Sequence, residues 1–286
     1  MATLKQKPMC ATVMLSCFCS KLINRSFPPV RACLFDVDGL LLNSEDLYTQ
    51  CTNIMLHRYN RPSMPWSLKA QLQGRPGPAS SELLLAWAKL PISPSEYRDE
   101  EAKIQRELFP TATPLPGVEK LLADLCGAGM HMALATSSHT TNFKLKSSHL
   151  EDLFAYFDAP RRVLGDDTRI PKGRGKPAPD IYLLALQVIN DSLAPGEEKI
   201  RPDECLVFED SVPGVEAGRR AGMRVIWCPH PELWTEFKGR EAEVLAGRAD
   251  TERELEGRGQ IGDGWAEHLV TLVDFPYERY NIKVRP

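Results

Sequence analysis

Two pairs of acidic side chains, Asp36 with Asp38 and Glu209 with Asp210, each close a short apolar run. Asp36 and Asp38 stand two apart after Val30–Phe35, and in extended backbone alternate side chains share a face. Two carboxylates on one face repel unless a cation or a shared proton relieves them, so the spacing asks for a metal or an acid/base pair. A lone Asp-x-Asp also serves as an ordinary loop cap. The second pair changes the reading, because carboxylates from two strand ends of one sheet converge on a hard, oxygen-seeking cation such as Mg²⁺. A helix-capping role for Asp210, ahead of Pro213, is the alternative.

Between the acidic pairs come two features suited to an anion. Thr136, Ser137 and Ser138 follow Ala133-Leu134-Ala135, and hydroxyls with free amides at a strand-to-helix junction suit phosphate oxygens. Thr136, first after the strand, is the candidate with the clearest position; capping by Ser137 or Ser138 is the plainer use of these residues. The run Gly173-Arg174-Gly175-Lys176-Pro177-Ala178-Pro179-Asp180 makes a stiff turn that holds the Lys176 ammonium in one place. An isolated Lys-Pro turn is structural, but this one falls between the Thr136 and Asp210 strands.

These side chains need a scaffold that delivers strand ends to one edge. Apolar runs at Val30–Phe35, Met130–Ala135, Cys205–Phe208 and Met223–Trp227 predict buried strands, and the periodicity of Gly117–Cys126, Asp180–Ile189 and Val215–Ala221 predicts helices between them. Such alternation means an α/β fold, a doubly wound, Rossmann-like parallel sheet with its chemistry at the carboxyl ends of the strands. The interval between the first two strands is far longer than a crossover helix needs. Helices expected at Ser44–Tyr59, Trp66–Leu72, Ser80–Lys89 and Pro94–Leu108 fill it as an inserted bundle, with Trp66 and Trp87 in the bundle core. The expected organisation is a core of residues 31–44 and 115–286, a helical insert of 45–114, and a leader of 1–30. Lys238–Gly264 reads as a helix followed by a mobile surface loop, and Leu269–Tyr280 is apolar enough to return to the core.

Composition narrows the partners. A formal net charge of -3 over 286 residues gives no basic field for a nucleic-acid backbone. No apolar run reaches the ~20 residues a membrane-spanning helix needs. The eight cysteines are scattered through a chain with 43% hydrophobic residues, which needs no disulfide staples, so a reducing, cytoplasmic setting is expected. Residues 1–31 hold Lys5, Lys7, Lys21, Arg25 and Arg31 without an acidic residue, so a mitochondrial transit segment is the alternative to a disordered leader. A monomer is the expectation.

Asp36-Val37-Asp38-Gly39, Thr136, Lys176 and Glu209-Asp210, in this order, resemble the four-part pattern of the haloacid dehalogenase superfamily over about residues 31–228. Within it the chain is similar to the β-phosphoglucomutase-like phosphatases, among them pseudouridine 5′-phosphatase, through 35–45, 133–138, 163–167, 175–182 and 205–211; Asn43 stands where the family usually has Asp. The resemblance implies Mg²⁺-dependent hydrolysis of a small phosphomonoester, such as a nucleoside or sugar phosphate. Asp36 would be the nucleophile that carries the phosphoryl group as an aspartyl phosphate, and Asp38 the acid and base. Thr136, Ser137 and Lys176 would hold phosphate. Asp36, the carbonyl of Asp38 and Asp210 would hold the metal, with Glu209 bound directly or through water. The helical insert would be the family's cap, and Arg75 in it a candidate substrate contact. Asp38 favours phosphoryl transfer over dehalogenation, since a departing halide needs no proton. A phosphomutase and a catalytically idle binding protein on the same fold are the rivals.

Overall fold

The apolar runs form strands because covered faces on both sides of a parallel sheet call for hydrophobic side chains at successive positions. The computed structural model of the chain describes residues 27–73, 77–249 and 259–284. The strands are β1 (Ala32–Phe35), β2 (His131–Ala135), β3 (Arg162–Val163), β4 (Cys205–Glu209), β5 (Arg224–Trp227) and β6 (Ala266–His268). They form one sheet, all parallel, in the order β3-β2-β1-β4-β5-β6. β1 is central, and the chain goes to opposite sides of it for β2 and β4, which makes the carboxyl end of β1 the switch point where open sheets bind ligands.

Helices cover both faces. Cys33, Phe35, Leu206 and Phe208 face one cluster, which runs on through α1 (Ser44–Arg58), α4 (Pro94–Leu108), α5 (Val118–Gly127), α6 (Thr140–Ser147) and α7 (Glu151–Phe154). Ala32, Leu34, Cys205 and Val207 face the other, built with α8 (Asp180–Asp191), α9 (Val212–Arg220) and α11 (Glu241–Leu245). Phe35 stacks on Phe208 across β1 and β4 at 4.6 Å between ring centroids, so the floor under the switch point is rigid. Between α9 and α11 lies α10 (Pro231–Glu236).

α1, α2 (Trp66–Leu72), α3 (Gly77–Ala88) and α4 fill the interval between β1 and β2. α4 opens with a capping box, Ser93 accepting from the Glu96 amide at 3.2 Å while Glu96 accepts from the Ser93 amide at 2.8 Å. The two connectors to the sheet run side by side. Asn43 exchanges backbone and side-chain hydrogen bonds with Thr113, and the Leu115 amide donates to Leu41.

Some expectations are corrected. β3 and β6 were not anticipated: β3 has only two residues and β6 reads Ala-Glu-His, neither of them an apolar run. Trp87 is exposed, and half-buried Trp66 stacks on His230, ahead of α10, at 4.5 Å instead of joining the bundle core. Residues 259–264, part of the expected mobile loop, are fixed by the ion pair of Arg219 on α9 with Asp263 at 2.5 Å. Leu272, Phe275 and Tyr280 of the C-terminal run are buried. Inside the expected leader, Phe27 packs edge-on against Trp265 and Val30 donates to the Tyr280 carbonyl. Residues 1–26 of the leader and Arg75 lie outside the described residues. Among the described residues no helix is long and apolar enough to cross a membrane.

Candidate active site

Strand register brings the candidates together. Phe35 pairs with Leu134 on one side and Phe208 on the other, so Asp36 follows β1 between the ends of β2 and β4, beside Thr136 and the Glu209-Asp210 pair. Lys176 arrives from the turn before α8, through a cis Lys176–Pro177 peptide. Its buried ammonium bridges Asp36 Oδ1 at 2.5 Å and Glu209 Oε1 at 2.6 Å. The Tyr182 hydroxyl donates to Glu209 Oε1 at 2.5 Å, the Tyr182 ring lies 5.2 Å from the ammonium, and the Ser211 hydroxyl donates to Glu209 Oε2 at 3.0 Å. Both Glu209 oxygens are thereby hydrogen-bonded.

The shared face expected for Asp36 and Asp38 does not form. The strand ends at Phe35, and each carboxylate takes its own lysine. Asp38 Oδ1 meets Lys146 and accepts from the Ser44 hydroxyl at 2.5 Å. Burial pushes Asp36 up to about 7 against the pull of Lys176, with Glu209 and Asp38 adding to the rise. Burial also raises Asp38, but Lys146 and the hydrogen bonds from Lys146 and Ser44 outweigh it, and its value lies below the ordinary one.

Thr136 is fully buried, its hydroxyl accepting from the Ser138 amide at 3.1 Å. Ser138 is buried and bonded to Lys146, whereas Ser137 is exposed. Asp210 is buried and held well above the ordinary carboxylate range by burial first, then by Glu209, Glu45 and Asp36. Gly39 adopts φ +76°, and a Cβ there would come within 2.2 Å of Asp210 Oδ2, so only glycine lets this turn lie against the carboxylate.

Three residues near the site were absent from the sequence reading. Gln73, at the end of α2, donates its amide to Asp210 Oδ2, while its own buried Oε1 finds no hydrogen-bond partner among the described residues. Lys69 on α2 is buried and paired with Glu45. Lys146 lies in Lys144-Leu145-Lys146, a spacing that reads as a solvated helix face, and no local signal marks it as buried.

Among the described residues no three acidic, histidine or cysteine side chains converge as a ready-made metal cluster, because Lys176 lies between Asp36 and Glu209. The donor set nonetheless fits a hard divalent cation. Asp210 meets a neutral amide and, among the described residues, no cation within ion-pair distance, while three other carboxylates help to raise its pKa. Carboxylate and carbonyl oxygens are the ligands Mg²⁺ prefers.

A family model, haloacid dehalogenase-like hydrolase, matches residues 30–222. A Saccharomyces cerevisiae protein named "probable pseudouridine-5′-phosphatase" is 44% identical over 81% of this chain and 92% of its own. The Arabidopsis thaliana mitochondrial (DL)-glycerol-3-phosphatase 1 is 35% identical over 80% and 74%. Among solved structures, a Deinococcus radiodurans HAD family hydrolase with bound phosphate and sodium aligns with a TM-score of 0.55 at 26% identity, covering 71% of this chain and 82% of its own. Family model, relatives and sheet topology agree with the resemblance read from the four motifs: the chain belongs to the haloacid dehalogenase-like hydrolases.

Proposed function

We propose that this hydrolase is a phosphatase that cleaves a small phosphomonoester through an aspartyl-phosphate intermediate on Asp36, with Mg²⁺ as cofactor. The observation that carries the reading is the division of the two carboxylates between two lysines at the switch point of the sheet. Two such groups in different surroundings can take different roles. Asp36, the carbonyl of Asp38 and Asp210 would hold the metal, with Glu209 direct or through water. Bound there, Mg²⁺ would neutralise charge on the phosphoryl oxygens and keep Asp36 ionised.

Asp36 attacks phosphorus in line with the leaving oxygen, and Lys176, the Thr136 hydroxyl and the Ser137 amide hold the equatorial oxygens. An arriving phosphate dianion beside Asp38 raises its pKa, so the carboxylate takes a proton from solvent before closure and passes it to the departing alkoxide. Asp38 then takes a proton from the water that attacks the aspartyl phosphate. Residues 45–114 act as a cap, hinged on the paired connectors at Asn43–Glu45 and Thr113–Gly117, which excludes bulk water. The buried Oε1 of Gln73, without a hydrogen-bond partner among the described residues, favours a leaving group that carries hydroxyl or N–H donors, since a buried acceptor left unpaired costs about 1–3 kcal/mol. Pseudouridine and glycerol, named for the relatives, both carry such donors.

Purified protein assayed with Mg²⁺ on pseudouridine 5′-phosphate, deoxysugar phosphates and glycerol phosphate is expected to release inorganic phosphate. No bisphosphate activator should be needed, which separates it from a mutase. Asp36→Asn is expected to abolish release. A panel on which wild type does no better than Asp36→Asn overturns the reading in favour of a binding protein.

A further inference from the structure

Lys146 belongs to none of the four motif elements, yet its side chain is completely buried. A buried ammonium costs several kcal/mol unless its surroundings are arranged for it. Its partners come from four places in the chain. They are Asp38 after β1, the Ser138 hydroxyl after β2 at 2.7 Å, the Tyr48 hydroxyl of α1 at 3.2 Å, and the rings of Tyr48 and Phe109 at 5.0 and 5.3 Å. Tyr48 and Phe109 are themselves packed edge to face at 4.8 Å, so the lysine sits in a rigid aromatic seat.

We propose that Lys146 is the positioning residue for Asp38: with Ser44 it engages Oδ1 of that carboxylate and leaves Oδ2 as the oxygen that exchanges the proton. The contacts of both Lys146 and Ser44 fall on Oδ1. Oδ1 thereby accepts from an ammonium and a hydroxyl, and the Ser138 hydroxyl, itself held by Lys146, also bonds the carboxylate, so Lys146 fixes the orientation of the group. The pair therefore selects which oxygen faces the leaving group and later the water. The inference rests on the proposed role of Asp38 as acid and base.

The test combines Lys146→Met, which keeps the apolar stem, with Asp38→Asn and the double variant, on glycerol phosphate and on p-nitrophenyl phosphate. Asp38→Asn is expected to lose roughly 10²–10⁴-fold in kcat on the alkyl ester; full activity there sinks the role of Asp38 itself. Lys146→Met is expected to lose kcat on the order of 10–100-fold, as for other supporting contacts, with KM nearly unchanged. The aryl ester leaves as a phenolate without help, so its phosphoryl transfer is spared and a burst of nitrophenol appears as the water step slows. In the Asp38→Asn background, Lys146→Met is expected to cost nothing further. Additive losses in the double variant, or equal losses on both esters with a raised KM, overturn the proposal and leave Lys146 a structural lysine. Should Lys146→Met fail to fold, Tyr48→Phe removes one anchor of the ammonium without stranding a charge. It must then show the same leaving-group dependence at smaller size, and wild-type kcat on the alkyl ester counts against the proposal.

Discussion

At the scale of single residues the site is a problem in charge placement. Lys176 holds apart two buried carboxylates, Asp36 and Glu209. Burial pulls its ammonium down, but the two carboxylates outweigh that and raise its pKa. Removing one partner of a buried pair is far costlier than the pair is worth, because the others are left uncompensated. Lys176→Met is therefore expected to lose about 3–5 kcal/mol in chemical denaturation without metal. Mg²⁺ at saturating concentration is expected to raise the unfolding midpoint of wild type and to recover part of the loss in Lys176→Met, since a ligand that binds only the folded state stabilises it. Asp210→Asn should respond little. A midpoint indifferent to Mg²⁺ in all three proteins contradicts the metal assignment without any reference to activity.

Elements decide which side chains reach the site and how firmly the sheet edge is held. β6 closes one edge through His268, whose ring stacks on Trp234 of α10 at 3.8 Å and lies 5.7 Å from Trp227 of β5. Burial holds the imidazole below its usual pKa, with Glu241 pulling weakly the other way. The folded state thus binds the proton less readily than the unfolded chain, so this contribution is complete above about pH 6.5 and is lost as pH falls through the depressed folded value. Unfolding midpoints followed between pH 8 and pH 5 are expected to fall in wild type and to fall less in His268→Phe; identical slopes would remove His268 from the account.

The same edge shows why part of the fold was illegible in sequence. β1, β2, β4 and β5 are buried on both faces and so are spelled in continuous apolar residues, whereas Ala-Glu-His of β6 and the two residues of β3 owe their pairing to neighbours. Asp36, Thr136, Lys176 and Asp210 could be found because each stands at the end of an element with a sequence signature. Lys146 and Gln73 could not, because burial by a distant helix leaves no mark on the residue that is buried.

Over the whole molecule the proposed chemistry rests on strand ends and the proposed enclosure on α1–α4, joined by the Asn43–Thr113 ribbon. If the proposed cap closes on a phosphorylated Asp36, Mg²⁺ with beryllium fluoride, which mimics the aspartyl phosphate, should slow amide exchange in α1–α4 and at residues 41–45 and 113–117. Unchanged exchange there would sink the closure while leaving the chemistry of Asp36 untouched. Gly117 ends the second connector at φ +87°, where a Cβ would meet the backbone of Leu272 and Val273 within 2.8 Å, so the C-terminal run presses on the ribbon from outside.

The insertion point of α1–α4 carries one more consequence. Because these helices leave and return through two adjacent strands of chain, their sequence can drift without disturbing the register of β1, β2 and β4. Lys69, whose partner Glu45 lies at the start of the same insert, can be exchanged without touching Asp36 or Lys176, whereas Gln73 is tied to Asp210. If residues 45–114 are the cap proposed above, selection has a fixed reaction and a replaceable address, and a change of metabolite asks for new residues on the helical side.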